Sequence, residues 1–354
     1  MKPIFVTSTG EGTGKTAIAI AVAKLAQEEG LDVGYFKPKG TRLKSPVGKT
    51  RDEDPILAKE MLGIDRDLSE LEPVVYSPAF IEEAIRGNRD GEVRERVREH
   101  YDALAEAYDL VVIEGGGRLE TGGIVGLTDP DVAELLDART LLVGGYTNPA
   151  DVDEVLAAAR QFDGNLAGVL FNAVADGNFE SLNTDVVPFL ETRDIPVLGI
   201  VPRVQELAGV TVADLADALG ADVLNPQASM DGFVERFAVG AMGSDAALRH
   251  FRRMRNAAMV TGGDRAEIQA AALEAPGIEC IVLTGGLRPS GAILGKAAEA
   301  DVPILLVQSD TKITVDRLED VLSTGRTRDP ETVDRMVELL SDHADLADLL
   351  ESGD

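Results

Sequence analysis

Residues 5 to 16 read Phe-Val-Thr-Ser-Thr-Gly-Glu-Gly-Thr-Gly-Lys-Thr: an apolar run, a glycine-rich loop, and Gly14-Lys15-Thr16 at the head of a helix predicted over Ala17 to Gln27. This order suits a polyphosphate. Glycines free backbone N–H groups, and the first N–H groups of a helix lack intrahelical partners, so both sets can point at one anion. Gly10, Glu11, Gly12, Thr13 and Gly14 would form the cradle, Lys15 would add positive charge, and Thr16 would offer its hydroxyl to a magnesium ion. Thr9 stands where such loops usually place their first glycine, so the motif is incomplete.

Three more segments end in residues suited to the same chemistry. Val111-Val112-Ile113-Glu114-Gly115-Gly116-Gly117 puts an acid at the end of an apolar strand. That is the carboxyl edge of a parallel sheet, where ligands bind in open α/β folds, so Glu114 is expected to be a metal carboxylate. Gly34-Tyr35-Phe36-Lys37-Pro38 brings Lys37 out beside the cradle, where its point charge could hold a phosphoryl group or a carboxylate. Asp54, ahead of a helix from Pro55 to Met61, suits either a helix N-cap or a second carboxylate on magnesium. Asn172, at the end of another strand, suits either an amide reading an adenine edge or a turn residue.

Short apolar runs alternate with amphipathic stretches almost from end to end, the pattern of parallel sheets covered by helices. The fold class expected is α/β: a P-loop parallel sheet with helices on both faces, then a smaller α/β domain. Strands are expected at Ile4 to Ser8, Asp32 to Phe36, Leu110 to Glu114, Thr140 to Gly144, Gly168 to Asn172 and Val197 to Val201. A charged segment, Arg42 to Pro55, reads as a loop over the site. The boundary is expected near residue 221, giving domains of 1–221 and 222–328. The second has strands at Arg236 to Gly240, Ala257 to Thr261, Glu279 to Leu283 and Ile304 to Val307. Residues 329–354 place apolar side chains at helical spacing, a tail that would dock on the body or on a second subunit.

The formal net charge of -28 argues against nucleic acid or an anionic membrane surface as partner. Acidic residues spread along the chain, arginine in excess of lysine and no Trp point to a very salty cytoplasm, where molar salt shortens the Debye length to about 3 Å. Lys2, Lys15, Lys24, Lys37, Lys39, Lys44, Lys49 and Lys59 crowd the first part of the chain, around the expected polyphosphate. Cys280 lies in an apolar run and reads as a buried thiol. The N-terminus enters a strand at once and no apolar run reaches membrane-span length, so a cytoplasmic location without membrane attachment is expected.

The run Phe5 to Thr16, Gly34 to Pro38, Asp54 and Val112 to Gly116 resemble dethiobiotin synthetase, and more closely the related N-terminal domain of long phosphotransacetylases. The resemblance covers residues 1 to about 220 and implies ATP and Mg2+ at the sheet edge. By that resemblance Lys15 and Thr16 are the phosphate lysine and magnesium hydroxyl, Asp54 and Glu114 the magnesium carboxylates, and Lys37 the lysine holding a carbamate and phosphoryl group. Thr41 falls where the synthetases have a serine. Glu11-Gly12 replaces their Thr-Glu and sets a negative charge toward the phosphates, which argues against the synthetase reaction itself. Gly10 replaces the signature lysine of partition-type ATPases.

The second domain resembles the DRTGG module through Thr261-Gly262-Gly263-Asp264-Arg265 and Thr284-Gly285-Gly286. Arg265 could clamp a small anion there, or the glycines could be plain turns in a dimerisation domain. The acyltransferase domain of long phosphotransacetylases is not in this sequence, so acetyl transfer is not expected of it. What is expected is an ATP/Mg-binding regulatory or sensor protein, homo-oligomeric through residues 222–328. The alternative is an ATP-dependent ligase acting on a carboxylate or carbamate of a small metabolite.

Overall fold

A computed structural model describes residues 1–10, 12–41, 43–44, 51–87, 92–204, 207, 209–240, 243–324 and 330–350. The chain forms two compact units, Met1–Arg203 with Thr327–Asp354, and Val204–Arg326.

The first unit is built on a six-stranded parallel sheet. Its strands are β1 (Ile4–Ser8), β2 (Val33–Phe36), β3 (Leu110–Glu114), β4 (Arg139–Gly144), β5 (Leu166–Val174) and β6 (Val197–Pro202), in the order β6-β5-β4-β1-β3-β2. Every residue of β1, β2 and β3 is buried. A sheet covered on both faces needs continuous apolar strands, which is why these runs do not alternate. The expected strands are thus present, within a residue or two at their ends. Val6 pairs in register with Glu114, setting that acid beside the strand that feeds the glycine loop.

Helix α1 (Lys15–Glu28) buries Ala17 through Ala23 without interruption. It lies between the sheet and the C-terminal helix Pro330–His343, which buries Val333, Met336, Leu339 and Leu340. Lys24 and Asp334 pair across the two helices at 2.5 Å. The tail therefore docks on the first unit of its own chain.

The second unit contains β7 (Asp222–Val223), β8 (Arg236–Val239), β9 (Ala257–Gly262), β10 (Ile278–Thr284) and β11 (Ile304–Leu306), in the order β7-β11-β10-β9-β8. Only the edge strand β7 runs antiparallel. The unit begins at Val204, ahead of the boundary expected near 221. The reason is packing: Val210, Val212, Leu215, Ala216 and Leu219 share a core with Ala258, Val260, Cys280 and Val282. Arg265, for which the sequence left open an anion clamp or a place among plain turns, donates from Nη1 to the Gly240 carbonyl at 2.6 Å. Among the described residues no helix is long and apolar enough to cross a membrane.

Candidate nucleotide and metal site

The glycine loop leaves β1 and turns into α1 through Gly12 and Gly14, with φ of 71° and 82°. Both lie in the left-handed region that glycine enters without a Cβ penalty. Ser8 Oγ donates to the Gly10 carbonyl at 2.7 Å, closing the start of the loop. Asn172, at the end of β5, donates from Nδ2 to the Thr13 carbonyl at 2.8 Å, and a Cβ on Gly14 would come within 2.6 Å of the same nitrogen. Asn172 thus holds the loop itself, where the sequence suggested an adenine contact or a turn. Glu11 lies outside the described residues, as does most of the expected loop over the site.

Lys15 opens α1, and its Nζ donates to the Gly117 carbonyl at 2.9 Å. Burial lowers its pKa, against the pull of Asp129 and Glu114 in the other direction. Thr16 Oγ1 donates to Glu114 Oε1 at 2.8 Å. The other oxygen of Glu114 accepts from the Tyr35 hydroxyl at 2.5 Å. Burial raises the Tyr35 pKa well above its ordinary value, and the charges of Glu114 and Asp54 raise it further.

Lys37 stands among three carboxylates. Its Nζ donates to Asp54 Oδ2 and, at 3.2 Å, to Glu114 Oε1, with Asp52 Oδ2 at 3.7 Å. Burial alone would lower this ammonium, but Asp54, Glu114 and Asp52 together outweigh it and hold the pKa well above the usual lysine value. Asp54 is the first residue of the helix Asp54–Leu62, whose N-cap is Glu53, and its carboxylate faces Lys37. Thr41 donates its backbone N–H to Asp52 Oδ2 at 2.9 Å.

A second buried pair lies alongside. Lys39 Nζ donates to Asp129 Oδ1 at 2.7 Å and to the Leu127 carbonyl at 2.6 Å. Asp129 Oδ2 accepts from Thr7 Oγ1 at 2.5 Å. A Cβ on Gly115 would lie 2.3 Å from that carboxylate, so only glycine lets the strand end pass. Among the described residues every fully buried Asp, Glu or Lys belongs to this neighbourhood: Lys37, Lys39, Asp52, Asp54, Glu72, Glu114 and Asp129. The sequence reading missed Tyr35, Asp52, Glu72 and Asp129. The signal available for Asp52 was its place two residues before Asp54; Asp129 carried only a Thr-Asp-Pro helix start.

The donors suit magnesium. Thr16, Asp54 and Glu114 offer hard oxygen atoms, and among the described residues no group of three or more His, Cys, Asp or Glu forms a self-sufficient metal cage. Mg2+ typically takes one or two carboxylates and completes its octahedron with phosphate and water. Thr16 and Glu114 would hold it on the cradle side, with Asp54 across Lys37.

A parallel sheet with a glycine cradle at the carboxyl end of its central strand, a lysine and threonine at the helix head and an acid on the neighbouring strand defines a P-loop NTPase type of domain. Residues 2–211 match the AAA_26 family, described as an AAA domain, and residues 214–321 match the DRTGG domain. The chain belongs to the AAA_26 family, carries a DRTGG domain, and corresponds to the N-terminal region of long phosphotransacetylases. It is 25% identical to a phosphate acetyltransferase of Pseudomonas putida over 373 residues, covering 98% of this chain and 51% of that protein. A cobyric acid synthase of Streptococcus sanguinis is 26% identical over 238 residues, covering 58% of this chain and 46% of that protein. A ParA family ATPase from Chlorobium tepidum aligns at 18% identity over 58% of this chain and 87% of its own, with a TM-score of 0.38. The chain spans about half the length of the curated relatives it matches.

Proposed function

We propose that the first unit binds ATP with Mg2+ and that the chain serves as a regulatory or sensor unit in a salt-rich cytoplasm, assembling with further copies through residues 222–328. The observation that carries the nucleotide reading is the concentration of buried charge beside the glycine loop: Asp52, Asp54, Glu114 and Asp129 lie against two fully buried lysines, Lys37 and Lys39, with the half-buried Lys15 at the helix head. At that point the Thr16 hydroxyl and the Glu114 carboxylate stand together as hard oxygen donors of the kind a divalent cation takes beside phosphate. Lys15 would exchange the Gly117 carbonyl for phosphate oxygens. Thr16 and Glu114 would orient the ion, and Asn172 would keep the loop amides aimed at the phosphates. Mg2+, when bound, neutralises phosphate charge.

The ligase alternative draws on the place of Lys37, beside the loop and buried. Against it, Lys37 is engaged by three carboxylates and offers no open face to a carbamate.

Calorimetry on the full chain in molar KCl tests the reading. Saturable ATP binding that weakens at least about tenfold in Lys15→Ala, the worth of a charged hydrogen bond, is expected. No heat with any purine nucleoside triphosphate overturns it. Phosphate release that rises with a carboxylic acid or a diamine would favour the ligase; ATP binding without such release favours the regulator.

A further inference from the structure

The first unit contains a cavity of about 450 Å³ outside the nucleotide cluster, lined by Glu72, Val75, Phe80, Glu83, Arg96 and His100 among others. Arg96 and His100 sit four residues apart on the helix Glu92–Ala105, so both face the same side. Arg96 Nε is buried and has no hydrogen-bond partner, and no ion pair of Arg96 is found among the described residues. A buried donor left without an acceptor is costly, so an acceptor in this cavity would relieve a standing cost at Nε.

We propose that this cavity binds a small monocarboxylate, with its carboxylate on the Arg96 guanidinium and its hydrocarbon part against Val75 and Phe80. A guanidinium presents paired donors in a planar fork that matches a carboxylate. The size falls in the range of small-molecule sites. Glu72 and Glu83 line the same space, and a dianion such as phosphate or a dicarboxylate would meet them as like charges. Glu72 also accepts the Asp52 backbone N–H at 3.2 Å, so one residue forms a wall of this cavity and a support of the Lys37 cluster. The site requires no nucleotide and stands apart from the reading of the glycine loop.

Ligand-observed NMR on the full chain, without nucleotide and at fixed KCl, tests the proposal with propionate, lactate, succinate and inorganic phosphate. Saturable binding of propionate or lactate is expected, at least tenfold weaker in Arg96→Gln. Ser69 lines the cavity from an exposed position, so Ser69→Phe fills the space without disturbing a packed side chain, and it is expected to weaken binding as well. Should Arg96→Gln fail to fold by circular dichroism, Ser69→Phe decides the matter. Unchanged affinity in the folded variants, tighter binding of phosphate or succinate than of either monocarboxylate, or no saturable binding at all overturns the proposal.

Discussion

The Thr16 hydroxyl donates to Glu114 Oε1 across 2.8 Å, tying the head of α1 to the end of β3 over 98 residues of chain. This contact fixes a hydroxyl and a carboxylate side by side before any ligand arrives. Such an arrangement suits a hard cation that keeps most of its water.

The Glu114→Gln variant retains the shape and loses the charge. In the wild type, Mg2+ is expected to tighten ATP binding about tenfold, comparable to one charge-assisted interaction. In the variant the affinities with and without Mg2+ should coincide. Paired calorimetric titrations read that ratio directly, and an undiminished Mg2+ effect would remove Glu114 from the metal site.

Asn172 distinguishes loop support from base reading. Its amide holds the Thr13 carbonyl at 2.8 Å, and a hydrogen bond of this kind contributes about 1 kcal/mol. Asn172→Ala should therefore weaken ATP and GTP alike, each about fivefold by the same figure. A selective loss of ATP binding would restore the adenine contact.

The strands and the cradle were legible because their signals are local. Ile4 to Ser8 and Leu110 to Glu114 are continuous apolar runs since both faces of the sheet are covered, and Gly14-Lys15-Thr16 follows the first directly. Asp129 was not legible, because its role depends on Thr7, 122 residues away, and on the register that brings their strands together. Tyr35 read only as a strand residue; its hydroxyl became part of the site through the pairing of β2 with β3. The stretch Val210–Leu219 has the same amphipathic pattern whichever sheet it covers, so the sequence placed the boundary too late.

Alkaline stability should report Cys280. Burial pushes this thiol up from its ordinary 9.0, and Glu279 adds to the shift. Above pH 9 the unfolded chain sheds a proton that the folded chain keeps, so the unfolded state binds fewer protons and stability falls as pH rises. The slope for one such group is about 1.4 kcal/mol per pH unit, with its contribution fully present below pH 9. Cys280→Ala should flatten the wild-type decline between pH 9 and 10 in urea unfolding at constant KCl. A decline that persists unchanged would assign it to other groups. Above the ordinary tyrosine value of 10.0, Tyr35 should add a second decline of the same sign in both proteins.

Lys37→Met should be the most damaging of these substitutions to the free protein. It leaves Asp54, Glu114 and Asp52 facing one another with their shared cation gone, and stranding a buried charge in this way typically destabilises by about 3 to 5 kcal/mol. Urea unfolding at pH 8 should show a loss of that size. Excess Mg2+ at pH 8 should restore part of the lost stability, because the buried oxygen cluster regains a cation. A variant as stable as the wild type, or a deficit indifferent to Mg2+, would mean that these carboxylates are balanced by something other than Lys37.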